Sequence, residues 1–138
     1  MEQTVFESIG YSAECQDCGE ELECWGVQAL VDGFLRWDTE SMCSACGFAV
    51  AACGGDLPAE LRGRLLSEHG PARLGVDPSA RKTAIMRVLR AALGLGLADV
   101  SSVLNEVLEG AHSGTMPEME FLARRLRASG IDAVAARP

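Results

Sequence analysis

Basic residues are almost missing from the first sixty positions of this 138-residue chain, where Arg36 stands alone against twelve acids, a net of −11. Binding nucleic acid requires lysines or arginines that displace phosphate counterions, so this half is expected to repel DNA and RNA. The remaining positions hold eight acids and eleven bases, a net of +3, and the two parts together give the formal charge of −8. Aromatics make up only 5%, and no stretch approaches the roughly 18 consecutive apolar residues of a membrane span. The opening MEQTVFESIGYSAEC has neither a basic start nor an apolar h-region. No secretory leader is therefore expected, and a reducing, cytoplasmic compartment is. Catalytic signatures are missing too: there is no G-x-S-x-G, no H-E-x-x-H and no P-loop. His69 and His112 adjoin no cysteine or carboxylate at catalytic spacing, and Glu20-Glu21 are neighbours rather than partners across a cleft. No enzyme is expected.

Cysteine, in contrast, is patterned. Cys15-Gln16-Asp17-Cys18-Gly19 and Cys43-Ser44-Ala45-Cys46-Gly47 are two C-x-x-C-G knuckles separated by 24 residues. Each knuckle offers two thiolates to one ion, and its glycine lets the chain turn so that backbone amides point at sulfur. The rival readings are disulfides or a thioredoxin-like redox motif. A reducing compartment argues against the first. Against the second, a thioredoxin motif occurs once, at a helix start after a strand. The expected cofactor is one structural Zn2+ on Cys15, Cys18, Cys43 and Cys46, closed to substrate because all four positions are filled. Cys24 and Cys53 follow the knuckles by six and seven residues. They read either as small buried apolar groups or as resolving thiols of a redox switch.

The expected fold class is α+β in two modules. Residues 1–56 read as an acidic, three-stranded zinc ribbon, with strands at 23–30, 34–38 and 48–52 and a hairpin turn at Asp32-Gly33. Trp25 and Trp37 are expected to pack against the metal site. Residues 57–70 read as a linking helix, opened by Pro58 and closed by Gly70. Residues 71–138 form the second module. Ala72, Leu74 and Val76 alternate as in a half-buried strand, and Asp77-Pro78-Ser79 is expected to start a helix. Val100, Val103, Leu104, Val107 and Leu108 keep helical spacing up to Gly110. Thr115-Met116-Pro117-Glu118 is a capping-box pattern for a helix that stops at Gly130, before a last strand at 131–136. A brief strand at 113–116 completes the order β-α-α-β-α-β.

In the first helix of this module Ile85, Val88, Leu89 and Ala92 share one face, and Lys82, Met86 and Arg90 form a flanking stripe with Thr83 and Arg87 further round. A methionine within a basic exposed stripe suits protein recognition. The plainer reading is a solvated face with one exposed apolar residue. Gly94-x-Gly96 lacks the third glycine of a dinucleotide motif and lies between two helices, so it reads as a turn.

Lys82-Thr83-Ala84-Ile85-Met86-Arg87-Val88-Leu89-Arg90, followed by Gly94-Leu95-Gly96-Leu97-Ala98-Asp99-Val100, resembles the C-terminal domain of the bacterial ribosomal stalk protein. That family recruits translational GTPases, and its compact fold is shared with the Clp protease adaptor. The resemblance covers about residues 71–137 and leaves the cysteine-bearing half outside it. It implies a partner-binding face made by Lys82, Met86, Arg87, Arg90, Leu97 and Asp99. Thr83 stands where the family usually has an aliphatic residue, and Ala98 and Ser101 where it has lysines. The function expected is a non-enzymatic, cytosolic protein–protein interaction module, its partner a translation factor or the ribosome by resemblance. The alternative is a zinc-thiolate redox-sensitive regulator or adaptor.

Overall fold

The computed structural model describes residues 3–138; Met1 and Glu2, counted in the expected ribbon, lie outside the described residues. The chain divides into two compact units, one ending at His69 and the other spanning Gly70–Pro138. Both are mixed α+β, each built on an antiparallel sheet. Among the described residues, no single helix is long and apolar enough to cross a membrane.

The first unit is a four-stranded meander, β1 (Val5–Glu14), β2 (Glu21–Val31), β3 (Phe34–Met42) and β4 (Ala49–Gly55), paired in chain order. The sheet thus has four strands where three are expected. The missed strand is β1, whose alternation is disguised because Glu7 points to the buried side and Phe6 to solvent. Asp32 (φ 50°) and Gly33 (φ 82°) make the two-residue turn between β2 and β3, with Val31 opposite Phe34. The other two hairpin loops, at the opposite end of the sheet, are the cysteine knuckles.

Helix α1 (Ala59–His69) covers one face of this sheet, seating Leu65 against Ile9 and Trp37 with Tyr11, Leu57 and Leu61 around them. Gly26 has no side chain because the Trp37 ring occupies the place a Cβ would take. The outer edge of β1 is protected from pairing with another chain: Arg64 Nη2 donates to the Gly10 carbonyl (3.0 Å) and His69 Nε2 to the Ser8 carbonyl (2.7 Å). The opposite face is open and displays Phe6, Trp25, Phe34 and Met42.

The second unit runs β5 (Ala72–Val76), α2 (Lys82–Leu93), α3 (Leu97–Leu108), β6 (Ser113–Gly114), α4 (Met116–Ala128) and β7 (Ala133–Ala136), with sheet order β6-β5-β7. Ala72 and Leu74 of β5 meet Ile85 and Leu89 of α2, Val100, Leu104 and Val107 of α3, and Leu122 and Leu126 of α4 in one continuous core. Helix α4 starts with a complete capping box: the Glu118 amide donates to Thr115 Oγ1 (3.2 Å) and the Thr115 amide to Glu118 Oε1 (3.0 Å).

One local expectation is corrected, and the turn expected at Gly94-x-Gly96 is present. Asp77 does not start α2. Its Oδ1 accepts from the Ser79 amide and hydroxyl (2.9 and 2.8 Å), closing a separate turn, and the helix begins five residues later at Lys82. Of the two glycines between α2 and α3, only Gly94 is in the left-handed region (φ 64°); Gly96 is extended (φ −75°) with open space around its Cα. Left-handed Gly94 and extended Gly96 both leave helical geometry, and the helix pair they join is bent by 116°.

Candidate metal centre and helix groove

The meander explains why residues 25 or more apart in sequence come together. Each knuckle is a hairpin loop at the same end of the sheet, the first joining β1 to β2 and the second β3 to β4. The two loops are near copies. Cys15 N donates to Glu20 O (2.8 Å) and Gly19 N to Cys15 O (2.9 Å); Cys43 N donates to Phe48 O (2.7 Å) and Gly47 N to Cys43 O (2.9 Å). Gly19 and Gly47 take φ of 77° and 78°, a conformation that disfavours any side chain.

The Sγ atoms of Cys15, Cys18, Cys43 and Cys46 consequently all lie within 4.8 Å of one another, a set able to hold a metal ion. Cys15 Sγ is 3.7 Å from Cys46 Sγ, and Cys18 Sγ is 3.6 Å from Cys43 Sγ. The first cysteine of each knuckle is buried and the second exposed. The cluster's electrostatics show why a cation suits it. The Cys46 amide, aided by that of Ala45, pulls the Cys43 thiol down to about 7, although loss of solvent opposes it. At Cys46 the Phe48 amide also pulls down, but desolvation and the thiols of Cys18, Cys43 and Cys15 outweigh it and push the group to about 12. Four thiolates this close repel one another, and a divalent ion removes that repulsion.

The packing around the sulfurs differs from expectation. Leu22 and Cys24 are buried beside Cys15 and Cys43, with Tyr11 and Phe48 packed against them. Neither tryptophan belongs to this cluster: Trp37 lies under α1 (5% exposed) and Trp25 is 60% exposed on the open face. The register decides this, since Trp37 stands opposite Gln28 and Trp25 opposite Glu40, placing the rings on opposite faces. Cys24 is buried and accepts from Ser41 Oγ (3.3 Å), whereas Cys53 is exposed on β4. His112 Nδ1 faces Glu106 Oε2 at 3.1 Å in the second unit.

On α2, Ile85 and Leu89 are fully buried while Lys82, Arg87 and Arg90 are exposed. A groove of about 500 Å³ follows this helix into the turn before α3, lined by Thr83, Met86, Arg87, Arg90, Ala91, Gly94, Leu95 and Leu97. Four of the six residues carried over by resemblance, Met86, Arg87, Arg90 and Leu97, thus meet around one depression; Lys82 and Asp99 are exposed but outside its lining. Helical spacing finds Met86, Arg87 and Arg90, but the contributions of Ala91 and Leu95 depend on how α3 turns back. Comparison of the chain with protein-family models, curated proteins and solved structures found no match.

Proposed function

We propose that the chain is a non-enzymatic protein-interaction module in which zinc at Cys15, Cys18, Cys43 and Cys46 shapes the first unit and the α2 groove receives a protein partner. Zinc is favoured by donor type and spacing. Four thiolates about 2.3 Å from a common ion form a tetrahedron with edges of about 3.8 Å, close to the 3.6 and 3.7 Å separations here. With no open position, the ion would organise backbone rather than activate water.

The single observation carrying the interaction reading is the groove's chemistry: Met86, Ala91, Leu95 and Leu97 line it together with Arg87 and Arg90. Among the described residues neither arginine has an ion-pair partner. Such a composition suits an acidic segment with an apolar anchor. By the resemblance of residues 71–137 to the ribosomal stalk domain, the partner class is a translation factor or the ribosome, in the cytoplasm. Arg87→Glu with Arg90→Glu should abolish recovery of that partner from native lysate without lowering the melting temperature. Recovery equal to wild type rejects the assigned face.

The alternative, a zinc-thiolate redox regulator, draws on one observation: Cys24 is buried in the same cluster as Cys15 and Cys43. Peroxide would take two electrons from a pair of thiolates, forming a disulfide and, with two protons, two waters. Zinc release under mild peroxide that Cys24→Ser prevents supports this reading; a centre that retains its metal ends it.

A further inference from the structure

The open face of the first sheet carries a recognition surface that neither the metal centre nor the α2 groove uses. Trp25 lies with its six-membered ring over Gly10, close enough that a Cβ there would stand 3.2 Å from the ring. The missing side chain lets the indole lie across β1 with 60% of the residue exposed. Register puts Glu40 directly opposite Trp25 on β3, and Met42 opposite Glu23, two residues along the same face of β2. Glu23, Trp25, Glu40, Ser41 and Met42 line a depression of about 250 Å³. Among the described residues, neither Glu23 nor Glu40 has an ion-pair partner.

We propose that this depression binds the cationic head of an arginine or lysine in a basic segment of a partner protein. The indole face attracts a cation through its quadrupole, and two carboxylates beside it supply direct charge attraction. The Met42 thioether is a soft surface for the aliphatic stem of such a side chain. Charge complementarity selects the occupant: the first sixty residues, at −11, disfavour nucleic acid and acidic peptides and attract basic ones. The same face continues to the exposed Phe34 and Phe6. From Trp25 to Val31 this is roughly 20 Å of strand, room for a short extended segment rather than one small cation.

The test uses the full chain with zinc and a labelled short peptide alternating arginine and leucine, followed by fluorescence anisotropy. Trp25→Ala keeps every charge and should weaken binding about tenfold, while Trp25→Phe, which retains a ring, should lose less. Glu23→Gln with Glu40→Gln should weaken binding and flatten its dependence on salt. Arg87→Gln with Arg90→Gln, which puts no acid into the α2 groove, should leave it unchanged, which separates this surface from that groove. Wild-type affinity in Trp25→Ala, equal binding of a glutamate–leucine peptide, or no binding of the basic peptide overturns the proposal. Self-association of the chain that Trp25→Ala removes, without peptide binding, reassigns the face to a second copy and also overturns it.

Discussion

The two units reach a folded state by different means. Among the described residues, the largest fully buried side chains of the first unit are Ile9, Leu30 and Leu65, whereas Leu74, Ile85, Leu89, Val100, Val107, Thr115, Pro117, Leu122 and Leu126 belong to the second. The second unit has a layer of helices closing over one face of its sheet, which buries a continuous core. The first has one helix on a four-stranded sheet, its opposite face open and its edge strand β4 exposed throughout. A domain with so little apolar burial needs another source of stability, and the thiol cluster stands where it can tie the two free hairpin ends together. Apolar burial and metal ligation are alternative solutions to the same entropy problem, and this chain has a continuous apolar core in one unit and a cysteine cluster able to hold a metal in the other.

That contrast can be broken most severely at the sulfurs. Chelation, or Cys15→Ser with Cys43→Ser, should unfold the first unit, since structural zinc contributes on the order of 10 kcal/mol in small domains. Trp25, Trp37 and Tyr11 all lie in this unit, so tryptophan emission and near-ultraviolet dichroism should collapse while most helical signal persists. Loss of both together would mean the second unit is not independent of the first. The converse change, Leu122→Ala, empties part of the second core and should cost about 2–5 kcal/mol, lowering the helical melting transition and leaving tryptophan emission as it was. Thr115→Ala removes one half of the capping box and should cost about 1 kcal/mol, again only in the helical transition.

The smallest effect is expected at Asp77. The Ser79 amide and then the Ser79 hydroxyl hold its carboxyl below the ordinary value of 3.8. A carboxyl depressed in the folded state stabilises above its unfolded value, and that contribution is lost as pH falls through the folded one. The difference in helical melting temperature between wild type and Asp77→Ala should therefore be constant at neutral pH and shrink below pH 3.8. A difference that persists into stronger acid would assign it to packing instead.

Much of the local structure is legible in the residues. The Asp32-Gly33 turn, the two knuckle glycines, the Thr115–Glu118 capping box and the helical spacing of Val100 to Leu108 all depend on interactions within a few positions. Reading failed through a distant partner at β1 and through a local rival at Asp77. Strand β1 hides its alternation because Glu7 turns inward beside Gln28, a choice that depends on β2. Asp77 has the right chemistry for a helix cap, but Pro78 and Ser79 close a turn around it first.

The sequence by itself determined the Asp32-Gly33 and knuckle turns, which segments are helical and which thiols are paired locally, because these follow from short-range sterics and hydrogen bonding, and it fixed how charge is divided by composition alone. Tertiary structure alone decided that two knuckles 24 residues apart share one end of a sheet, that Trp37 is buried while Trp25 faces solvent, and that Leu95 joins Met86 in one groove. In each case strand register or helix crossing sets the outcome, and both are properties of pairs of segments rather than of either segment alone.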